Sequence, residues 1–226
     1  MEKLSRIVTL QDVKLNPYVK AYIDGGNDTT AALGYTDHGV RHASIVAAIA
    51  RNLLQRLGYS QREQELAAIA GYTHDMGNVV SRYFHAQVGA VLVERILSEM
   101  GMDPAELAIV MAAIGSHDPE DSCVAVSPVS AALIIADKSD VHRSRVRNPD
   151  MLKFDVHDRV NYAATRSFVD VNPETRVITL KLDVDTEISP VMEYFEIFLT
   201  RMLACKRAAE FLNTRFELTI NNVQLL

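Results

Sequence analysis

From Gly39 to Asp137, apolar residues recur at helical spacing through five successive segments, and polar caps or glycines separate them. The pattern commits about half of the chain to helices packed on helices. The first segment carries Val40, Ile45, Val46, Ile49, Leu53, Leu54 and Leu57 and stops at Gly58, where a helix C-terminal glycine belongs. Ser60 and Glu63 form a capping box that opens the second, which continues through Leu66, Ala67, Ile69 and Ala70 toward Asp75. A third runs from about Phe84 to Met100 and ends at Gly101. Asp103, Pro104 and Glu106 open a fourth that reaches about Ser116. Ser127 and Pro128 open a fifth through Leu133, Ile134, Ile135 and Ala136.

The flanks read differently. Asn16 to Ile23 suits a short helix, which Gly25-Gly26-Asn27-Asp28 is expected to break. After Asn148-Pro149, Arg159 to Val171 and Arg176 to Val184 are rich in Val, Thr, Ile and Phe, and Asn172-Pro173-Glu174-Thr175 supplies the hairpin turn between them. Pro190 starts a long helical pattern with Phe195, Phe198, Leu199 and Met202 at core spacing, and Arg215 to Ile220 reads as a last strand. The expectation is a mainly α fold: a helical bundle over residues 1–150 and a small β-β-α-β appendage over 151–226 packed on it. The apolar helix of the appendage suits packing either on the hairpin or on a second copy of the chain, which would make a homodimer.

Composition narrows the function. A hydrophobic share of 48% supports a packed core rather than disorder. The 23 basic and 29 acidic residues leave a net charge of −6, which argues against nucleic acid as a partner. Cys123 and Cys205 have neither disulfide-framework nor zinc-finger spacing. No apolar stretch reaches the ~18 residues of a membrane span, and the first residues lack the apolar core of a secretory signal. A cytoplasmic setting without membrane contact is the expectation.

The placement of polar residues within the helical segments carries the chemistry. His42 sits early on the first segment, His74-Asp75 ends the second, His85 opens the third and His117-Asp118 ends the fourth. Asp137 follows the run Ala-Leu-Ile-Ile-Ala, where a carboxylate is costly to bury unless it is paired or metal-bound. Successive helices pack side by side, so one polar residue from each can meet at a common point. Imidazole and carboxylate together suit Mn, Fe, Ni, Co or Zn. His42, His74, Asp75 and Asp137 would serve one ion. His85 and His117 would allow a second, with Asp75 between the two.

The order His42, His74-Asp75, Asp137 resembles the HD superfamily of metal-dependent phosphohydrolases. The surrounding DHGVRHASIV, GYTHDMGN and IIADKSD carry the resemblance, over residues 35 to about 145. It implies an all-α domain in which these four residues bind metal. His85 in FHAQVGA and His117 in AIGSHD resemble the extra ligands of the dinuclear branches, which include phosphodiesterases, dinucleoside tetraphosphate hydrolases and diiron oxygenases. No GYP motif is present, His117 is followed by Asp118 rather than His, and Asn78 stands where many of these hydrolases have Lys.

The functional expectation is hydrolysis of a phosphate ester or anhydride of a nucleotide or small metabolite, using one or two divalent ions (Mn, Fe, Ni, Co, Zn or Mg) and a metal-activated water. Asp75, His117 and Asp118 are the catalytic candidates. Lys138, Arg143 and Arg145 in the basic segment KSDVHRSRVR, with His38 beside His42, are candidates for binding the small anionic substrate. The alternatives are a diiron oxygenase on the same ligands and a non-catalytic nucleotide-sensing module. His142 and His157 read as surface residues.

Overall fold

A computed structural model describes residues 7–118, 123–148, 150 and 155–226. Among these the helices are α1 (Leu10–Leu15), α2 (Pro17–Ala32), α3 (Val40–Arg56), α4 (Gln61–Thr73), α5 (His85–Glu99), α6 (Pro104–Gly115), α7 (Pro128–Ser139), α8 (Val156–Ala163) and α9 (Val191–Phe211). The strands are β1 (Ala164–Asn172), β2 (Val177–Val184), β3 (Arg215–Ile220) and β4 (Val223–Gln224). Short 3-10 turns at Met76–Val79 and Arg143–Arg145 follow α4 and α7.

The five helical segments fold as their patterns dictate. On α3, Val46, Ala47, Ala50, Leu53 and Leu54 form a buried stripe. The Ser60–Glu63 box opens α4: Ser60 Oγ accepts from Glu63 N at 3.2 Å, and Glu63 Oε2 accepts from Ser60 N at 3.0 Å. Asp103 caps α6 through the amides of Ala105 and Glu106. Helix α7 lies in the middle, with Val129 to Ala136 all buried, packed against α3, α4, α6 and α9. An apolar helix surrounded in this way reads as apolar all round rather than amphipathic.

One glycine-bearing segment departs from expectation. Helix α2 runs straight through Gly25 and Gly26 instead of stopping. A Cβ on Gly25 would sit 3.0 Å from the Val79 side chain, and one on Gly26 would sit 3.2 Å from the Asn78 Cβ and the Val79 amide. These glycines let α2 press onto the turn after His74-Asp75, and the packing outweighs their low helix propensity.

The appendage has the expected β-β-α-β order in β1, β2, α9 and β3, with α8 added before it and β4 after it. The strand expected from Arg159 starts only at Ala164, because Asp155 accepts from Asp158 N at 2.8 Å and caps α8 over the preceding residues. The hairpin pairs Asn172 with Val177 through to Ala164 with Val184, β3 pairs parallel to β2 after the α9 crossover, and β4 folds back on β3. The buried stripe of α9 is Tyr194, Phe198, Met202 and Cys205, while Leu199 is half-exposed. This stripe faces the helical part and the sheet, since α9 packs on α7, α8 and β3. Residues 151–154, where the sequence places the domain boundary, and Pro149 lie outside the described residues.

Candidate metal centre

Four imidazoles and two carboxylates meet at the centre of the helical part. His42 comes from the first turn of α3, His74 from the end of α4, Asp75 from the residue that leads into the 3-10 turn, His85 from the start of α5, His117 from just beyond α6 and Asp137 from α7. All four histidines are buried, and the Asp75 and Asp137 side chains are 10% and 13% exposed. His42 Nε2 lies 3.3 Å from His74 Nε2, 3.5 Å from Asp75 Oδ2 and 3.4 Å from Asp137 Oδ1. His74 Nε2 is 3.2 Å from Asp75 Oδ2 and 3.6 Å from Asp137 Oδ1. On the other side, His85 Nε2 is 3.4 Å from Asp75 Oδ1 and 3.3 Å from His117 Nε2.

The hydrogen bonds on the far side of each ring fix its tautomer. A carbonyl or carboxylate oxygen only accepts, so the ring nitrogen facing it carries the proton. His74 Nδ1 donates to Gly71 O at 2.9 Å, His85 Nδ1 to Arg82 O at 3.1 Å, and His117 Nδ1 to Ile114 O at 2.6 Å. His42 Nδ1 donates to Asp140 Oδ2 at 2.8 Å. Each neutral ring therefore turns an Nε2 lone pair inward. Lone pairs 3.3 Å apart repel unless a cation lies among them, and this is the arrangement that metal-binding imidazoles adopt. Among the described residues three donor groups meet the spacing for one ion: His42, His74 and Asp75; His74, His117 and Asp137; and Asp75, His85 and His117.

Without metal, protons take part of this role. Burial disfavours charge on His74, but Asp75 and Asp137 outweigh it and push its pKa up to about 10. Burial would also raise Asp75 and Asp137; His74 and His42 beside Asp75, and Lys138 with the same histidines beside Asp137, hold both well below the usual carboxylate range. Burial, reinforced by the charges of His74 and Lys138, keeps His117 neutral. A divalent ion held by His74 would take the place of that proton.

Residues 39–141 match the HD domain. Over this stretch, just under half of its length, the chain is similar to HD-domain proteins. It is also 29% identical over 147 residues to the uncharacterised protein MJ1020 of Methanocaldococcus jannaschii, an alignment that covers 55% of this chain. The chain spans just over half, 56%, of the length of that relative. HD domains bind divalent metal through His and Asp, and the buried donor set fits such an ion.

The helical part opens into a cavity of about 510 Å³ with the donor cluster on its wall. His38, Asp75, His85, His117, Asp118, Asp137, Lys138 and Arg145 line it. His38 Nδ1 donates to Thr36 O at 2.6 Å, and burial, the largest influence, keeps its ring neutral. Asp118 Oδ2 lies 3.2 Å from His85 Nδ1, beside the ring rather than at its inward nitrogen. Lys138 is buried and paired with Asp137. Arg145 is buried and donates to Asp37 O and Asp140 O, so it ties loops together. Arg143 is absent from the lining; its guanidinium sits 5.2 Å from the Tyr162 ring centroid. His157 is exposed, as its sequence context suggests, yet stands on the cavity wall.

Several site residues were not read from sequence. Asp140 orients His42. Asn78 Nδ2 donates to the Asp75 main-chain oxygen at 2.9 Å and to Asp75 Oδ1 at 3.1 Å, so it steadies that carboxylate from the position where many HD hydrolases have Lys. Arg82 donates to Asn78 Oδ1 at 3.3 Å and reaches the cavity, as do Tyr35 and Arg201. Asp140 and Asn78 lie within the HD signature segments, whereas Arg201 follows no motif.

Proposed function

We propose that this chain is a metal-dependent phosphohydrolase acting on a phosphate ester or anhydride of a nucleotide or small metabolite. The observation that carries the reading is the orientation of Asp75. One of its oxygens faces His42 and His74 and the other faces His85. This suits a carboxylate shared between two donor groups, so the reading favours two divalent ions. His42, His74 and Asp137 would hold one and His85 and His117 the other. When bound, such ions supply Lewis acidity and a water acidified toward neutral pH.

The protein side chains have distinct tasks. Asp140 and the three main-chain acceptors hold the imidazoles in the ligating tautomer before substrate arrives, which avoids reorganisation during the reaction. Asn78 keeps the Asp75 carboxylate from rotating. Lys138, held near Asp137, adds positive charge at the cavity wall for the phosphoryl oxygens. Asp118 lies on the cavity wall within reach of water and accepts a proton from the attacking nucleophile. His38, neutral and on the same wall, is placed to receive or return a proton at its Nε2.

A panel of phosphomonoesters, phosphodiesters and nucleoside polyphosphates, assayed anaerobically with Mn(II) and with chelator, tests this reading. The expected result is phosphate or nucleotide release that chelator abolishes. Oxygen consumption by the iron-loaded protein, with no hydrolysis of any substrate, would overturn it in favour of an oxygenase.

A further inference from the structure

Among the described residues four guanidinium or ammonium groups line the cavity, and three of them already have acceptors. Lys138 pairs with Asp137, Arg145 donates to the Asp37 and Asp140 main-chain oxygens, and Arg82 donates to Asn78. Arg201 is the exception. It comes from α9, outside the segment that matches the HD domain. Its guanidinium lies 4.7 Å from the centroid of the Phe198 ring, and Phe198 is itself buried. Among the described residues no carboxylate, carbonyl or amide oxygen accepts a hydrogen bond from it. A guanidinium cannot shed its proton to escape this situation. Arg201 is half-buried, and its guanidinium opens to the cavity, where an oxyanion can reach its donors. The stack on Phe198 occupies one face and fixes the plane, which leaves the fork of N–H groups for a planar or tetrahedral oxyanion.

We propose that Arg201 binds a phosphoryl group of the substrate, so that the C-terminal appendage completes the substrate site of the helical part. This rests on the phosphohydrolase reading. The role is substrate binding, and it assigns a purpose to the close packing of α9 on α7: the contact sets a cation from one part of the chain beside the metal donors of the other. Burial lowers the pKa of Arg201, with Asp137 and Asp118 opposing, which agrees with a guanidinium enclosed near the metal carboxylates.

The test is calorimetric titration of the Mn(II)-loaded full chain with inorganic phosphate, for the wild type, Arg201→Gln and Arg201→Lys. Metal content and thermal midpoint are measured for each. The expected result is a roughly 10- to 100-fold weaker phosphate affinity for Arg201→Gln, the loss of one charge-assisted hydrogen-bonding group. Metal content should be intact and the ligand-free midpoint not lowered, because no protein acceptor loses its partner. Arg201→Lys should recover part of the affinity, since it keeps the charge without the fork. Unchanged phosphate affinity in Arg201→Gln would overturn the assignment and leave the phosphohydrolase reading standing. A drop in midpoint and metal content together would mean that Arg201 is structural, which also overturns it. A wild type that holds Mn(II) but binds no phosphate would overturn both.

Discussion

Asp140 carries no motif letter, yet its carboxylate decides which nitrogen of His42 faces the metal centre. It accepts from His42 Nδ1 at 2.8 Å, from Arg41 at 3.2 Å, and stands 3.8 Å from Arg145. Burial would raise its pKa, but His42 and Arg145 outweigh that and keep it ionised. Replacing such a partner typically costs 10- to 100-fold in metal affinity. Asp140→Asn should therefore bind Mn(II) about 10-fold more weakly in competition with a chromophoric chelator, with the fold preserved because the amide is isosteric. Equal affinity would remove Asp140 from this role. His42, His74 and Asp75 were readable because a titratable group inside a strongly apolar helix demands a partner. Asp140 was not readable, because its partner lies 98 residues away and an acid at a helix end looks solvated. The basic run from Lys138 to Arg147 looked uniform for the same reason: only the fold sends Lys138 to the cavity, Arg145 into loop carbonyls and Arg143 onto Tyr162.

At the scale of elements, the turn between α4 and α5 sets the geometry of the centre. A Cβ added to Gly77 would fall 1.9 Å from His85 O and 2.6 Å from Gly89 N, both main-chain atoms of α5 that have no room to move. Gly77→Ala must push α5 away and carry His85 from Asp75. The expected outcome is destabilisation by about 2–3 kcal/mol or more in urea unfolding, with loss of bound metal. Gly58, at φ +83° with open space around it, is the control. There Gly58→Ala should cost about 1–2 kcal/mol of local strain and leave metal content unchanged. Equal metal content in the two variants would contradict this account of the turn. The five central helices were legible because caps and period agreed at each one. Helix α2 was not, since Gly25 and Gly26 serve a close approach that no local pattern records. Helix α8 and the start of β1 share residues with comparable propensity for both states, and the Asp155 cap decides between them.

At the scale of the molecule, a chain with a net charge of −6 concentrates Arg82, Lys138, Arg145 and Arg201 around one cavity. Asp75, Asp118, Asp137, Asp155 and Asp158 line the same cavity, so metal ions that offset these carboxylates would be needed before the four cations favour a small anion there. The buried core is continuous from Leu53 and Leu133 in the helical part to Phe198 and Leu218 in the appendage, so both parts support the same cavity wall. No helix among the described residues is long and apolar enough to cross a membrane. The whole account turns on cations held by the inward-facing nitrogens. Anomalous diffraction from crystals grown with Mn(II) tests that most directly. The account requires anomalous peaks in contact with Nε2 of His42 and His74 and with Nε2 of His85 and His117, with the Asp75 carboxylate reaching both. A manganese-saturated crystal with no peak at these nitrogens, or with peaks only elsewhere on the chain, would contradict it.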